Sequence, residues 1–407
     1  MSWAERKINE LGDIVTGKTP STKVPEYFGG EYPFVTPSDI DYGHYYVRIT
    51  ETTVTEKAKN KHKNQFIPKD AVLFTCIGNT MGKCAIASQE CISNQQINSV
   101  VANDEHDPKF LYYLLHHNRN LVRGIGMGGG AATPIINKTT FGNIKLKVPA
   151  DKAEQEAISA LLEKYDNLIE NNKRRIELLE ESARQLYKEW FVRFQFPGHE
   201  HVTFVDGVPE GWTAGRVGDT AKVFSGYAFK SKDWLEEGNP VIKIKNITST
   251  NTVDVSDCQC VDDNVAEKAA KFKLSPGDML IAMTGATVGK VGLMPISERT
   301  FYLNQRVGKF ESKIGRDVTP LLLSFFNSEK AQSSILNLAG GAAQPNISAK
   351  QIESIEFPIP PETLLNTFLD ETENLFTLRL NLVDQIFRLT QARDLLLPKL
   401  MNGEIAV

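Results

Sequence analysis

Residues 158–190 read ISALLEKYDNLIENNKRRIELLEESARQLYKEW, and this stretch decides the fold. Apolar residues recur at alternating steps of four and three, which is the spacing of a coiled-coil seam. The seam positions are Ile158, Leu162, Tyr165, Ile169, Asn172, Ile176, Leu179, Ala183, Leu186 and Trp190. The spacing predicts a helix from about Asp151 to Phe194, and Asn172, the one polar seam residue, is expected to set the register.

A second helix with the same spacing is predicted from Glu362 to Met401. Its seam positions are Leu365, Phe368, Thr372, Leu375, Arg379, Leu382, Ile386, Leu389, Arg393, Leu396 and Leu400. Each helix has roughly 40 residues and is about 60 Å long, which is too long to bury its stripe in the segment before it. A lone heptad-bearing helix favours dimerisation, but two in one chain favour intramolecular pairing because their effective concentration is high.

The segments that precede the two helices repeat each other at a distance of about 206 to 211 residues. Gly78–Lys83 (GNTMGK) is answered by Gly285–Lys290 (GATVGK), and the pair Asn94-Gln95 is answered by Asn304-Gln305. A helix is expected to open at Asp107-Pro108 in one segment and at Thr319-Pro320 in the other, with the first residue of each pair as the cap.

Short runs of β-branched and aromatic residues, broken by Gly, Pro and Asn, predict a mixed α/β domain in each segment. The expected fold class is α+β: two homologous mixed α/β domains joined by two long antiparallel coiled-coil helices, with pseudo-two-fold symmetry. The predicted boundaries are 1–150 for the first domain, 151–195 for the central helix, 196–361 for a linker and the second domain, and 362–407 for the C-terminal helix.

The composition is that of an ordinary globular protein, with 41% hydrophobic residues, 24% charged residues and a net charge of −4. Long apolar runs and the apolar core of a signal peptide are both missing, so we expect a cytoplasmic protein without membrane association. Five cysteines without paired Cys-x-x-Cys spacing predict reduced thiols. The near-neutral charge predicts only modest non-specific attraction to nucleic acid.

Several motifs that suggest catalysis fail in detail. The segments Gly78–Lys83 and Gly285–Lys290 resemble phosphate loops, but they are one residue short, and Cys84 and Val291 stand where Ser or Thr is required. We interpret them as tight turns, with phosphate contact by Lys83 and Lys290 as the alternative. His199-Glu200-His201 has no further ligands nearby, so no metal site is expected. With no nucleophile elbow, HExxH or adenine-methyltransferase proline motif, we expect no catalytic residue and no bound cofactor.

Four lysines alternate at positions 57, 59, 61 and 63. On an extended segment, all four would lie on one side. Such a strip fits either a solvated sheet edge or a phosphate-binding surface, and the two interpretations are equally good at this point. Tyr42 and His44, just upstream, fit half-buried sheet aromatics or groove contacts.

In order and in duplicate, these motifs resemble the specificity subunits of type I restriction-modification enzymes. The likeness covers nearly the whole chain. It is carried by the opening LGDIVTGKTPS (11–21), the paired Pro-x-Asp to Gly-x-x-x-Gly-Lys segments, the Asn-Gln pairs, the junction from FPGHE (196–200) to PEGW (209–212) and the ending LLLPKL (395–400). The resemblance implies two target-recognition domains on two antiparallel helices. One departure is that YKEWF (187–191) and LPKLM (397–401) differ at equivalent ends of the two helices.

The resemblance also implies a function. Each recognition domain is expected to read one half of a split sequence in double-stranded DNA, while the helices set the spacing and dock two methyltransferase subunits. S-adenosylmethionine would then belong to those partners and ATP to a restriction subunit, if one joins, and the chain itself would be non-catalytic. The alternative is a coiled-coil scaffold without a DNA role. A standalone methyltransferase or nuclease is disfavoured by the missing motifs.

Six loops are the candidate DNA contacts: residues 17–23, 36–46, 79–83, 225–232, 243–248 and 284–290. Lys, Ser and Thr side chains are expected at phosphates, and Asn, Gln, Lys, Arg and Thr side chains at base edges. The predicted contact residues, which include two lysines from the alternating run, are Lys18, Thr19, Thr22, Lys23, Ser38, Tyr42, His44, Lys61, Lys63, Asn79, Lys83, Tyr227, Lys230, Lys232, Lys245, Asn246, Thr284, Thr287 and Lys290.

Overall fold

A computed structural model of the chain describes residues 3–40, 45–128, 133–340 and 345–407. Contacts divide the chain into two compact units. Unit 1 consists of Met1–Asn171 and Phe387–Val407, and unit 2 consists of Asn172–Ile386. Each unit therefore contains one repeated domain and a part of each long helix. Tyr42 and His44, two of the predicted contact residues, lie outside the described residues.

Unit 1 contains three described sheets. The two-stranded sheet pairs Trp3–Lys7 with Lys145–Pro149. The five-stranded sheet has the order Gly12–Thr16, Ile97–Ala102, Val72–Thr75, Cys84–Ala87, Tyr46–Val47, and only the last pair is parallel. The four-stranded sheet has the order Thr52–Val54, Phe28–Val35, Cys91–Ser93, Phe66–Ile67, and its central pair is parallel.

The shorter α-helices of unit 1 are Ile8–Leu11, Glu56–Lys61, Pro108–His117, Arg119–Met127 and Lys138–Gly142, with 3₁₀ turns at Pro25–Tyr27 and Lys63–Gln65. The helix predicted at Asp107-Pro108 is present. The Asp107 carboxylate accepts a hydrogen bond from the Phe110 amide (2.7 Å), and Pro108 begins the helix, where its missing N–H costs nothing.

The prediction that Lys57, Lys59, Lys61 and Lys63 share one side of an extended segment is wrong. Residues Glu56–Lys61 are helical and Lys63–Gln65 form a 3₁₀ turn, so alternate residues point in different directions. Ala58 and His62, four residues apart, form the buried face of this segment. Lys57 and Lys59 form ion pairs with Glu26 and Glu90, whereas Lys61 and Lys63 are exposed.

Unit 2 repeats the main features of unit 1. One two-stranded sheet pairs Thr213–Arg216 with Glu356–Ile359, and a hairpin pairs Phe204–Val205 with Val208–Pro209. The first four-stranded sheet has the order Ala221–Ser225, Val307–Ser312, Met279–Ala282, Val291–Leu293 and is antiparallel. The second has the order Gln259–Val261, Asn239–Ile242, Phe301–Leu303, Lys273–Leu274, again with a parallel central pair.

The shorter α-helices of unit 2 are Val217–Thr220, Asp263–Lys268, Thr319–Phe326, Glu329–Leu338 and Ala349–Glu353; 3₁₀ turns lie at His199–His201, Ser231–Asp233, Ile244–Asn246 and Ala270–Phe272. Thr319 is not the cap that the sequence suggested. It lies inside the helix, and its amide donates to the Asp317 carboxylate (2.8 Å), so the stabilising oxygen comes from two residues earlier.

The two long helices are confirmed. The first runs over Lys152–Tyr187 and continues as a π-helix over Lys188–Val192, and the second runs over Glu362–Met401. The seam is also confirmed, because every predicted seam residue is shielded. The buried ones are Ile158, Leu162, Ile169, Asn172, Ala183, Trp190, Leu365, Phe368, Thr372, Arg379, Leu382, Arg393 and Leu400; the half-buried ones are Tyr165, Ile176, Leu179, Leu186, Leu375, Ile386, Leu389 and Leu396.

The helices pair antiparallel inside unit 2. Glu180 binds Arg379 (2.6 Å), and ten residues further along the first helix, the Trp190 ring lies 5.6 Å from that of Phe368, earlier in the second helix. The Asn172 amide donates to Gln385 (3.2 Å), a contact that suits the expected register-setting role.

Each domain packs its own core against its share of the long helices. In unit 1, Phe74, Phe110 and Phe141 belong to one buried cluster with Leu162 and Leu400. In unit 2, Phe325 and Phe357 belong to a cluster with Trp190 and Phe368. All five cysteines are free thiols, as predicted, and burial raises the pKa of Cys76 to about 12. Among the described helices, none is long and apolar enough to cross a membrane.

Candidate nucleic-acid interface

In each unit, four loops meet at one place, which we call the four-loop face. In unit 1 they are the loop after the first strand of the five-stranded sheet (17–23), the polar turn (36–39), the glycine hairpin (78–83) and the Asn-Gln turn (94–97). In unit 2 the corresponding segments are 226–232, 243–246, 285–290 and 304–307. These segments cover most of the residues predicted to contact DNA.

Main-chain hydrogen bonds hold the four loops together in unit 1. The Gly17 amide donates to the Ile97 carbonyl (3.1 Å), the Asn94 amide to the Val35 carbonyl (3.0 Å) and the Cys76 amide to the Gln96 carbonyl (2.8 Å). The same three bonds recur in unit 2, from Gly226 to Val307 (3.3 Å), Asn304 to Ile242 (3.1 Å) and Met283 to Arg306 (3.0 Å). The arrangement therefore belongs to the repeated fold rather than to one sequence.

The Asn-Gln turn presents an exposed glutamine in both units. The side chain of Asn94 accepts a hydrogen bond from the Gln96 amide (3.0 Å), and that of Asn304 accepts one from the Arg306 amide (3.1 Å). This local capping fixes the turn and leaves Gln95 and Gln305 exposed. Gln95 then meets the neighbouring loop, where the Thr19 hydroxyl donates to its side-chain oxygen (2.9 Å).

The polar turn is built in the same way in both units but carries different side chains. In unit 1, the Thr36 amide and hydroxyl both donate to Asp39 (2.7 and 2.6 Å), and Ser38 is exposed. In unit 2, the Lys243 amide donates to Asn246 (2.9 Å), and Lys245 is exposed.

Both glycine hairpins are tight turns in which two glycines have positive φ: 81° and 96° at Gly78 and Gly82, and 81° and 85° at Gly285 and Gly289. The Lys83 ammonium donates to the Pro37 carbonyl (3.1 Å), which joins the hairpin to the polar turn. Asn79 is exposed at the tip of its hairpin, while Thr284, Thr287 and Lys290 are half-buried.

Positive charge gathers on the four-loop face of unit 2. Lys243, Lys245 and Arg306 all belong to this face; burial lowers the pKa of Lys243, and the charges of Lys245 and Arg306 lower it further. The Lys243 ammonium lies over the Trp234 ring, and Lys245 forms an exposed ion pair with Asp257 (2.8 Å). An exposed pair of this kind contributes little to stability.

The corresponding charge in unit 1 is placed differently. Burial lowers the pKa of His62, and the charges of Lys18 and Lys61 lower it further. Lys18 comes from the first loop, and Lys61 from the short helix that follows the 36–46 region. The two units therefore present different polar groups on a common backbone frame.

Not every predicted contact residue is available to a ligand. Asn246 is only 2% exposed, and its amide donates to the Asp254 and Asp257 carbonyls (2.9 and 3.0 Å), so it holds the polar turn from inside. Tyr227 is half-buried against Phe229 and Phe272. The exposed members of the prediction are Lys18, Thr19, Thr22, Lys23, Ser38, Lys61, Lys63, Asn79, Lys230, Lys232 and Lys245.

Gln95, Gln305 and Arg306 are exposed on the four-loop face and were not among the predicted contacts. The sequence did single out Gln95 and Gln305, because the Asn-Gln pairs are part of the repeat. Only the fold shows that the asparagine of each pair is used inside the turn while the glutamine faces outward.

The sequence profile described as "Type I restriction modification DNA specificity domain" matches residues 1–181 and 209–363. The type I restriction enzyme MjaIX specificity subunit of Methanocaldococcus jannaschii is 29% identical over the whole of this chain and 94% of its own length. The MjaVIII specificity subunit of the same organism is 24% identical over the whole of this chain and 93% of its own length.

A solved structure shares the fold. The S subunit of a type I restriction-modification system from M. genitalium is 17% identical and aligns with a TM-score of 0.60, covering 98% of this chain and 96% of its own. The matched segments carry the two four-loop faces, one in each repeat. The chain belongs to the type I restriction-modification DNA specificity family and contains two copies of its domain.

Proposed function

We propose that the four-loop faces of units 1 and 2 each read one half of a bipartite target in double-stranded DNA. The observation that carries this proposal is the duplicated face itself: four loops held by equivalent main-chain bonds, with different polar side chains on each copy. A frame fixed by the backbone presents side chains at defined positions, and base edges are distinguished by side-chain donors and acceptors. Two different faces then specify two different half-sites.

Within each face we assign two kinds of contact. Gln95, Gln305 and Arg306 are proposed to meet base edges, because glutamine suits adenine and arginine suits guanine. Lys18, Lys61, Lys83, Lys245 and Lys290, with the exposed Ser and Thr residues of the loops, are proposed to meet phosphates, which position the protein without reading sequence.

The chain itself is proposed to supply recognition, while catalysis belongs to partner subunits. The relatives are named specificity subunits of restriction enzymes, which supports assembly with other subunits. We propose two methyltransferase subunits that bind S-adenosylmethionine, docked on the long helices that also set the spacing of the half-sites. A restriction subunit that uses ATP is a further proposed partner.

The test is adenine-methylation mapping with the chain reconstituted with its methyltransferase partner. The chain should direct methylation to one bipartite motif. Arg306→Gln introduces the residue that unit 1 carries at the equivalent position, Gln96, and should change one base of one half-site while the other half-site stays the same. Arg216→Gln, at an exposed position of unit 2 on the two-stranded sheet, is the matched control and should leave the motif unchanged.

The competing function is a coiled-coil scaffold without a DNA role. It predicts no bipartite methylation motif and no duplex binding that falls with salt concentration, whereas a DNA reader must show both. An Arg306→Gln variant that keeps the original motif would remove this residue from base reading without removing the reader function.

A further inference from the structure

Two arginine–carboxylate ion pairs join the two long helices: one is buried on both sides, and in the other the arginine is buried while the carboxylate is partly exposed. In unit 1, Arg393 lies 2.5 Å from Asp166, with side-chain exposures of 6% and 2%, and the Tyr113 hydroxyl donates to the other oxygen of the same carboxylate (2.5 Å). In unit 2, Arg379 lies 2.6 Å from Glu180, with exposures of 2% and 27%. Both carboxylates belong to the first helix, and both guanidinium groups belong to the second.

The residues at the repeat-equivalent positions carry no charge. The two seams superpose at an offset of about 210 residues. At this offset, Arg393 corresponds to Ala183 and Asp166 to Phe376. Ala183 and Phe376 both line one cleft of about 580 Å³ in unit 2. These positions therefore hold an ion pair in unit 1 and two apolar residues beside a cleft in unit 2.

The residues equivalent to the second ion pair are also uncharged. Arg379 corresponds to Ile169, which is buried, and Glu180 corresponds to Thr390, which is half-buried. The Arg379 guanidinium also donates to the Thr250 and Asn251 carbonyls (3.0 and 2.9 Å). The first helix therefore carries the carboxylates of both ion pairs, and the second helix carries both guanidinium groups.

Because the carboxylates lie on one helix and the guanidinium groups on the other, these ion pairs form only when the two different helices pair. If the first helix paired with a second copy of itself in the same register, Asp166 would face Ala183 and Glu180 would face Ile169, so both carboxylates would lose their cation. If the second helix did so, Arg393 would face Phe376 and Arg379 would face Thr390. A buried charge without a partner is strongly destabilising, whereas a satisfied pair is close to neutral.

We propose that the two ion pairs are a selectivity device: each long helix accepts the helix of the other repeat and rejects a second copy of itself. Hydrophobic seams of this length pair readily with copies of themselves, and the polar groups remove that option. The ion pairs thereby ensure that one complex contains two different recognition domains. This selectivity is independent of any contact with DNA.

The experiment uses the folded full-length chain with a protease site inserted between Asp206 and Gly207, the exposed tip of the hairpin Phe204–Pro209. After cleavage, isotope-labelled and unlabelled protein are mixed, and urea is raised until the fragments exchange. Native mass spectrometry then separates the 1:1 complex of the two fragments from homodimers of either one. Complexes of mixed label prove that exchange has occurred, and the wild-type protein should show no homodimer.

The matched variant is Ala183→Arg with Phe376→Asp, which gives Asp166 and Arg393 an oppositely charged partner when each helix pairs with its own copy, and places the new side chains in the existing cleft. Homodimers of both fragments should rise at least about tenfold above the detection limit. Ala160→Arg adds the same charge at an exposed position of the first helix and should leave the wild-type pattern unchanged.

A second variant keeps the test decisive if the first does not fold. Replacing both ion pairs by their repeat equivalents (Asp166→Phe, Glu180→Thr, Arg379→Ile, Arg393→Ala) makes the helices alike at these positions without added charge, and homodimers should again appear. Homodimers in the wild-type protein, or their absence from every folded variant, would overturn the proposal.

Discussion

Gly17 approaches Asn94 so closely that a Cβ atom on Gly17 would lie 2.2 Å from the Asn94 carbonyl oxygen. The equivalent Gly226 has the same relationship to Leu303, also at 2.2 Å. Both glycines allow the first loop to lie against the Asn-Gln turn, where backbone atoms leave no space for a side chain.

Gly17→Ala should therefore displace the first loop. We expect the free energy of unfolding to fall by about 1–3 kcal/mol, the usual cost of overpacking. Binding of the half-site read by unit 1 should weaken, because Lys18 and Thr19 move with the loop. Urea unfolding and duplex titration measure the two effects. Gly124→Ala is the control: its Cβ meets nothing within 4 Å and it lies in a helix, so stability should rise slightly.

Arg393→Met should destabilise unit 1 by about 3–5 kcal/mol, because it leaves the Asp166 carboxylate buried without a cation. Combining it with Asp166→Leu should recover more than half of that loss, since the unpaired charge is gone. Chemical unfolding of the single and double variants gives the coupling. Lys145→Met, which removes an exposed ion pair with Glu5 (3.9 Å), should change the free energy of unfolding by less than about 0.5 kcal/mol. Equal losses in Arg393→Met and the double variant would contradict this explanation.

His116 should make unit 1 sensitive to acid. Burial, together with the nearby charges of Arg119 and Arg393, lowers the pKa of His116 to about 3. The folded state therefore keeps the imidazole neutral, while the unfolded state protonates it near pH 6.5. The resulting stability is complete above pH 6.5 and is lost as the pH falls towards 3, at about 1.4 kcal/mol per pH unit.

His116→Gln keeps an acceptor for the Arg119 guanidinium, which lies 2.8 Å from the imidazole, and removes the titration. The free energy of unfolding of this variant, measured between pH 7.5 and 5, should decline less steeply than that of the wild-type protein. Below pH 6.5 the two slopes should differ by about 1.4 kcal/mol per pH unit, which is the effect of one proton. Parallel profiles for the two proteins would exclude His116 as the cause.

Lys290→Ala should weaken duplex binding to a similar degree on cognate and unrelated DNA. If Lys290 contacts phosphate, the slope of log affinity against log salt should become shallower by about 0.9. Fluorescence anisotropy at several salt concentrations measures both quantities. Lys313→Ala is a suitable control, because that ammonium donates to the Gly218 carbonyl. An unchanged salt slope in Lys290→Ala would refute the phosphate contact.

The long helices could be predicted because a seam repeats over many turns, so a single polar residue does not hide it. The lysine run 57–63 was misjudged because alternation of charged residues alone contains no information on burial. The better signal was the pair Ala58 and His62, spaced by four. Asp166 was missed for a similar reason: it lies beside the seam position Tyr165, and only the fold shows that Tyr113 and Arg393 surround it.

Parts of the candidate site also could not be predicted from the sequence. Asn246 and Lys245 are neighbours with similar polarity, yet one is buried and the other exposed. Which of two adjacent polar residues faces outward depends on the turn that contains them, and that turn is completed by Asp254 and Asp257, which lie 8 and 11 positions after Asn246.

The main-chain bonds that hold the four-loop face have an evolutionary consequence. Every residue except proline has the same backbone amide and carbonyl groups, so the frame is kept while its side chains differ, as Gln96 and Arg306 illustrate. If the four-loop faces read base edges as proposed, a point substitution on this surface would change the target without any compensating change in the interior.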